Sequence, residues 1–144
     1  IHNIIHNKAL PIYGDGKNSR EWIYVEDHCE ALIKIFEKGK IGEFYNVGSN
    51  KNKTNLEITT KLINIGKKNV KIGKNVMIKF VADRPGHDIR YALNSRKLIK
   101  ELNWQPKKSL ADGLHRTFTW YLNNLGYYNS LKTRNSTKRV GLKK

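Results

Sequence analysis

The segment at residues 83–92 constrains the chain most, because it contains a turn that allows few backbone conformations. It runs Asp-Arg-Pro-Gly-His-Asp-Ile-Arg-Tyr-Ala. Pro85 fixes its own φ angle and biases Arg84 toward an extended conformation, while Gly86 permits a tight reversal. We expect this reversal to direct the side chains of Arg84 and His87 toward a common point. Two cationic donors that converge in this way suit a diphosphate, whereas an isolated Arg-Pro-Gly is more often a surface turn with a solvated charge.

Strand-like and helix-like stretches alternate along the chain, which predicts a mixed α/β fold. Two helices begin with capping signals: Asp27 with Glu30, in a helix that stops at Gly39, and Thr54 with Glu57. The other predicted elements are strands at residues 10–13, 21–25, 44–47 and 76–81, a turn at 14–16, a helix near residues 95–102 and a helix capped by Ser109.

The two ends of the chain differ in character. Ile1, Ile4 and Ile5 have helical spacing, so we expect the sequence to begin at the end of a helix, with more protein before it. Residues 126–144 carry six Lys or Arg and no acid, which indicates a basic tail. The expected division is therefore a folded region at 1–125 and a tail at 126–144.

The charge balance raises the question of a polyanionic partner. Lys and Arg number 28 against 12 Asp and Glu, for a net charge of +16. The lysines are scattered through the chain and form no basic stripe, which weighs against a specific nucleic-acid site. The single cysteine, Cys29, excludes a disulfide framework, and His2 and His6 lack the acidic or Cys partners of a metal site. No long apolar run is present, so we expect a cytoplasmic protein. We also expect no bound metal, because these histidines lack further ligands.

Five blocks follow one another in the order seen in the C-terminal part of the extended short-chain dehydrogenases/reductases. They are Pro-Ile-Tyr-Gly-Asp-Gly at 11–16, Arg-Glu-Trp-Ile-Tyr-Val-Glu-Asp-His at 20–28, Gly-Glu-Phe-Tyr-Asn-Val-Gly at 42–48, Asp-Arg-Pro-Gly-His-Asp at 83–88 and Glu-Leu-Asn-Trp-Gln-Pro at 101–106. The last two together resemble the dTDP-glucose 4,6-dehydratase family. Related sugar-nucleotide epimerases and decarboxylases share the earlier elements, so the block at 83–88 discriminates. The resemblance covers roughly residues 1–125.

The resemblance implies a fold and a set of substrate-binding residues. The fold is the C-terminal substrate-binding region of an extended short-chain dehydrogenase/reductase, with mixed short strands and helices and with most of the Rossmann half absent. The implied ligands of the dTDP group are Pro11, Ile12 and Tyr13 along the base and sugar, Arg20, Arg84 and His87 on the diphosphate, and Asn55 near the nucleotide. Asn55 follows Thr54 at a predicted helix start, where we expect unpaired N–H groups to attract phosphate.

The resemblance also implies what the chain lacks. The family's Gly-x-x-Gly-x-x-Gly turn, its Tyr-x-x-x-Lys pair and its Asp-Glu acid/base pair are expected to lie outside this chain. No catalytic or cofactor-binding residue is then expected here, and NAD is expected to bind the missing N-terminal half of a homodimeric enzyme. The end at residues 138–142 resembles the family's C terminus, but Asn135 stands where a Tyr is expected.

These observations predict a fragment that binds dTDP-glucose for NAD-dependent dehydration to dTDP-4-keto-6-deoxyglucose, and that is inactive alone. One alternative is a relative in the same superfamily that acts on a UDP- or GDP-sugar. Another, of a different class, is a basic module that binds polyanions, which only the net charge favours. A third is an inactive truncated product.

Overall fold

The computed structural model describes residues 1–130, which form a mixed α/β fold. Its helices are α1 (His2–Ile5), α2 (Val25–Lys38), α3 (Asn55–Asn69), α4 (Arg96–Leu102), α5 (Leu110–Asn123) and α6 (Leu125–Ser130). Its strands are β1 (Leu10–Tyr13), β2 (Ser19–Glu21), β3 (Asn52–Thr54), β4 (Ile78–Val81) and β5 (Arg90–Tyr91).

The strands form two small sheets. β1 and β4 pair in parallel, in a register from Leu10 opposite Ile78 to Tyr13 opposite Val81. In the other sheet β2 lies between β3, which is antiparallel to it, and β5, which is parallel to it. Sequence analysis predicted neither β3 nor β5, because such short polar strands carry no apolar alternation.

Two clusters of buried side chains form the core. One contains Ala31, Leu98, Leu102 and Trp104 and joins α2 to α4. The other contains Ile4, Leu10 and Phe118 and joins α1 and β1 to α5. The second cluster fixes the position of β1, which carries part of the candidate site.

The predicted N-cap of α2, Asp27, was wrong by three residues. The helix begins at Val25 with Tyr24 as its N-cap, so Asp27 lies in the first turn. There the buried Asp27 carboxylate accepts a hydrogen bond from the backbone N–H of Lys108, at 2.9 Å. An acid in the first turn also interacts favourably with the helix dipole. Asp27 therefore connects α2 to the segment before α5 instead of capping its own helix.

Two of the predicted strands differ from the structure. The strand expected at 21–25 is displaced toward the N terminus as β2, since residues from Val25 onward are helical. Residues 44–47 form no strand within the described part of the chain. Tyr45 and Val47 pack against the first core cluster while Phe44 is 89% exposed, so the alternation is that of a strand. What the segment lacks is a neighbouring backbone to pair with.

Several local predictions are confirmed. Thr54 and Glu57 form a reciprocal capping box at the start of α3, and the Ser109 side chain caps α5 by accepting from the N–H of Asp112. α2 ends at Gly39 as its C-cap. The predicted tail at 126–144 begins inside α6, and from residue 131 it lies outside the described residues, as does Asn135.

An apolar surface extends over α2 and the segment that follows it. Its members are large side chains that are more than half exposed: Val25, Ile33, Phe36, Ile41 and Phe44. We refer to these five residues as the outer apolar surface. No helix within residues 1–130 has the length and hydropathy to cross a membrane.

Candidate functional site

The parallel pair of β1 and β4 brings two turns to one edge. Tyr13 and Val81 are register partners at the carboxyl ends of these strands, and the N–H of Gly14 donates to the Val81 carbonyl at 2.9 Å. In α/β proteins, ligands commonly bind at the carboxyl ends of parallel strands. Gly14 has a φ of +56°, and a Cβ at this position would lie 3.0 Å from a carboxylate oxygen of Asp83. Glycine thus allows the two turns to approach closely.

The turn after β4 has the conformation that its sequence predicts. The N–H of His87 donates to the carbonyl of Arg84 at 3.3 Å, which closes a four-residue turn. Pro85 and Gly86 occupy its central positions, and Gly86 has a φ of +68°, as the third residue of a type II turn requires. The turn is held from below by Asp83, whose Oδ1 accepts from the Arg84 N–H at 2.8 Å and contacts His87 Nδ1 at 2.7 Å.

Three of the predicted ligands lie together at this edge. The Arg84 guanidinium carbon lies 5.0 Å from the centroid of the Tyr13 ring, within range of a cation–π interaction. The His87 ring meets the same tyrosine edge-on, with the ring centroids 6.2 Å apart. The Arg84 guanidinium and the His87 imidazole therefore both lie against the Tyr13 ring. That these side chains bind a diphosphate stays a prediction.

Arg20 approaches the same turn from β2. Its Nη2 donates to the Asp88 carbonyl at 2.9 Å and its Nη1 to its own neighbour, the Ser19 carbonyl, at 2.7 Å. The Asn18 amide also donates to the Asp88 carbonyl, at 3.2 Å. A guanidinium has five N–H donors, so these two contacts hold Arg20 in place and leave donors for a ligand.

Asn55 is the first residue of α3, but the backbone argument that predicted it was wrong. The N–H of Asn55 donates to the carbonyl of Asn18 at 3.0 Å, and that of Leu56 donates to the carbonyl of Gly16 at 3.1 Å. The Glu57 N–H is taken by the Thr54 side chain. These N–H groups are paired inside the protein, so phosphate would have to displace existing bonds. The Asn55 side chain remains a predicted ligand only through the family resemblance.

The first two predicted base contacts lie on opposite faces of β1. Ile12 is buried, and its side chain lies against Gly16, where an added Cβ would be 2.9 Å from it. Pro11 is exposed and, because side chains alternate along a strand, shares its face with Tyr13. Pro11 and Tyr13 can therefore contact a base through their side chains, whereas Ile12 supports the strand from inside.

The charges at this edge favour an anion. The His87 ring, followed by the Arg84 N–H, holds the pKa of the Asp83 carboxyl below its usual range. The backbone N–H of Lys17, followed by its ammonium at 3.1 Å, lowers the pKa of the neighbouring Asp15 as well. Both carboxylates thus accept hydrogen bonds from the protein, while the guanidiniums of Arg20 and Arg84 supply positive charge at this edge.

Tyr13 and Lys17 have the Tyr-x-x-x-Lys spacing that the sequence analysis expected to lie outside this chain. That spacing aligns two side chains when the segment is a helix. Here the segment crosses the turn after β1, and Lys17 faces Asp15. Tyr128 and Lys132 share the spacing, and Lys132 lies outside the described residues. The spacing thus occurs, but the described pair has no helical geometry.

A large cavity, of about 980 Å³, lies elsewhere, between α5, the start of α1 and the segment before α2. Its walls include Trp22, Tyr24, Trp120 and Tyr121. None of the seven predicted ligands lines it. The aromatic residues at its rim were the only signal that could have indicated it. Among residues 1–130, no group of His, Cys, Asp and Glu could hold a metal ion.

The fold and this arrangement define the substrate-binding region of an extended short-chain dehydrogenase/reductase. Comparison with known proteins narrows this assignment from the superfamily to one family. The chain belongs to the GDP-mannose 4,6 dehydratase family, whose model matches residues 1–117. Its individual relatives in that family include dTDP-glucose 4,6-dehydratases, as the block at 83–88 predicted.

Two dTDP-glucose 4,6-dehydratases and one epimerase illustrate the degree of similarity. The dTDP-glucose 4,6-dehydratase of Haemophilus influenzae is 44% identical over 131 residues, which cover 86% of this chain and 38% of that protein. The crystal structure of dTDP-glucose 4,6-dehydratase from Bacillus anthracis in complex with NAD is 40% identical, with a TM-score of 0.81 over 91% of this chain and 40% of that one. UDP-glucose 4-epimerase of Thermotoga maritima, solved with UDP-glucose, is 27% identical, with a TM-score of 0.74 over 85% of this chain and 38% of that one. The chain thus spans about two fifths of the length of these relatives.

Proposed function

We propose that this chain binds the dTDP group of dTDP-glucose and thereby supplies the substrate side of an NAD-dependent 4,6-dehydratase. The observation that carries the proposal is the convergence of Arg84 and His87 on the Tyr13 ring at the carboxyl end of β1. An aromatic face beside two cationic donors suits a planar base joined to a diphosphate.

The function of these residues is positioning. A diphosphate held by Arg84, His87 and Arg20 fixes the hexose relative to groups on the remainder of the longer protein. Orientation of this kind lowers a reaction barrier by several kcal/mol in well-oriented systems, so a region without catalytic groups still contributes to rate. We expect the hexose itself to extend from the bound diphosphate toward the part of the longer protein that this chain does not include.

NAD belongs to that absent part in this proposal. The cofactor accepts a hydride from the sugar and returns it, and it is usually held by a glycine-rich turn between a strand and a helix. The 144 residues contain no Gly-x-x-Gly-x-x-Gly. The residues present therefore do not fit NAD by themselves, and we expect the isolated chain to bind dTDP without binding NAD. We extend the proposal to a cytoplasmic homodimer for the longer protein, without a nucleic-acid partner, and to a division of this chain at residue 125.

Calorimetric titration of the 144-residue chain tests the proposal. We expect saturable binding of dTDP, weaker binding of thymidine and none of NAD. A double variant, Arg84→Ala with His87→Ala, should lose dTDP binding. The matched control is Arg116→Ala, which removes a guanidinium paired with Asp112 on α5. Binding of dTDP that survives the double variant, or saturable NAD binding, would contradict the assignment.

A chimera provides an activity measurement. The chain replaces the matching region of the Haemophilus influenzae relative, and formation of the 4-keto product from dTDP-glucose is followed. Activity with dTDP-glucose but not with UDP-glucose supports the proposal. Preference for a UDP- or GDP-sugar would favour the alternative from the same superfamily.

A further inference from the structure

The strongest unassigned feature is the Asp83 carboxylate beneath the turn. One of its oxygens, Oδ1, contacts both the Arg84 N–H and the His87 ring nitrogen Nδ1, at 2.8 and 2.7 Å. The His87 side chain is 8% exposed and that of Asp83 is 38% exposed. The contact with the ring therefore fixes the orientation of a nearly buried imidazole.

The identity of the ring atoms follows from this contact. An ionised carboxylate only accepts hydrogen bonds, so Nδ1 of His87 must carry a proton. In the neutral ring the other nitrogen, Nε2, then carries a lone pair, and this lone pair repels phosphate oxygens. Nε2 becomes a donor only when the ring is the imidazolium, the form that a neighbouring negative charge stabilises.

We propose that Asp83 is a positioning residue that holds His87 as an imidazolium, so that its Nε2–H donates to the diphosphate. The inference rests on the proposed function, since it specifies how one of the predicted ligands becomes competent. Asp83 has a second action in the same turn, because its bond to the Arg84 N–H fixes the backbone from which the guanidinium extends.

Two further side chains meet the Asp83–His87 pair in the contacts described for residues 1–130. Arg84 is the further charge that acts on Asp83, and Tyr13 is the titratable side chain that meets His87 from β1. An arginine guanidinium is not deprotonated in proteins, so the charge of Arg84 is constant over this range. A change in dTDP binding between mildly acidic and mildly basic pH therefore reports on His87 and on the phosphate group itself.

The test compares Asp83→Asn with Asp83→Ala and His87→Ala by titration with dTDP. Asn keeps an oxygen that accepts from Nδ1–H but lacks the charge. In Asp83→Asn we expect affinity to fall about tenfold near pH 8, through loss of the charged donor, and to recover near pH 5.5, where histidine is protonated without help. The control is Asp112→Asn on α5, an acid of similar exposure that also pairs four residues along its chain.

A merely structural role gives a different pattern. It predicts either no change in Asp83→Asn or an equal loss at both pH values. Since Asp83 acts through His87, adding Asp83→Asn to His87→Ala should cause no further loss at either pH, whereas additive losses overturn the proposal. Asp83→Ala should lose affinity at both pH values, because the Arg84 backbone loses its acceptor as well.

Nitrogen-15 spectra of the ring separate this inference from the proposed function. In the unliganded chain near pH 7, the imidazolium fraction of His87 should be lower in Asp83→Asn than in the wild type. If the wild type binds no dTDP, the proposed function fails, whatever the spectra show. If dTDP binds but the spectra of the wild type and Asp83→Asn coincide, Asp83 does not set the state of His87.

Discussion

Replacing Arg84 with Ala should weaken substrate binding far more than it weakens the fold. The side chain is exposed, and its described contact is with the Tyr13 ring at 5.0 Å. A cation–π contact at an exposed site contributes roughly 0.5–1 kcal/mol. A hydrogen bond to a charged phosphate contributes about 1.5–3 kcal/mol, which corresponds to a loss of roughly tenfold to somewhat over a hundredfold.

The assay is steady-state turnover of dTDP-glucose by the chimera. In the proposed function the diphosphate is remote from the reacting hexose, and we expect it to be bound equally in the ground state and the transition state. The loss should therefore appear mainly in KM, with kcat nearly unchanged. Arg84→Lys should recover part of the loss, since an ammonium supplies charge without the planar fork. Arg116→Ala serves as the control for removal of a guanidinium.

Two results would refute this reasoning. If kcat and KM are both unchanged in Arg84→Ala, the turn after β4 is not the diphosphate site, and His87 loses its assignment as well. If kcat falls while KM stays the same, the guanidinium acts on the reacting groups instead of the remote diphosphate. Thermal unfolding of each variant separates both results from a loss of folded protein.

Three further predictions concern specificity and stability. Tyr13→Ala should reduce the preference for dTDP over UDP in competition titrations while leaving inorganic pyrophosphate binding unchanged, because in the proposed site the ring contacts the base and not the phosphates. Thr54→Ala should lower the free energy of unfolding by about 1 kcal/mol in urea, through loss of the capping box at α3. Lys53, followed by the Thr54 N–H, holds the pKa of Glu57 at about 2, well below its usual range. The stabilisation from ionised Glu57 is therefore present above the ordinary pKa of a glutamate and is lost as pH falls toward 2, and Glu57→Gln should flatten that dependence in urea unfolding.

Interactions between residues close in sequence were predictable. The capping box of Thr54 and Glu57 involves residues three apart, and the turn from Arg84 to His87 has Pro85 and Gly86 at its centre and the adjacent Asp83 as its acceptor. Each forms from residues within one short segment, so the amino-acid sequence of that segment is enough to predict it. The same reasoning misplaced the start of α2, because Asp27 has a distant partner, the Lys108 N–H, that no local pattern reveals.

For the candidate site, the sequence predicted which side chains to consider but not how the surrounding backbone is hydrogen-bonded. The block at 83–88 indicated Arg84 and His87, and β1 brought Tyr13 to them through parallel pairing with β4. The pairing of the N–H groups at the start of α3 was not predictable, since it depends on carbonyls from the turn after β1. The role inferred for Asp83 also required distances, because an acid within a basic block carries no signal of its own.

The outer apolar surface has a consequence for handling the protein in solution. Phe36, Ile41 and Phe44 are each about nine-tenths exposed or more, and residues 44–47 present backbone that pairs with no other strand in the described chain. Such a surface promotes self-association, which the net charge of +16 opposes by mutual repulsion. Salt shortens the range of that repulsion to about 8 Å at physiological ionic strength but leaves the hydrophobic attraction intact. Added salt should therefore promote association of this chain, whereas it dissociates a complex held by salt bridges. We expect the chain to stay dispersed in dilute buffer and its light scattering to rise as salt is added.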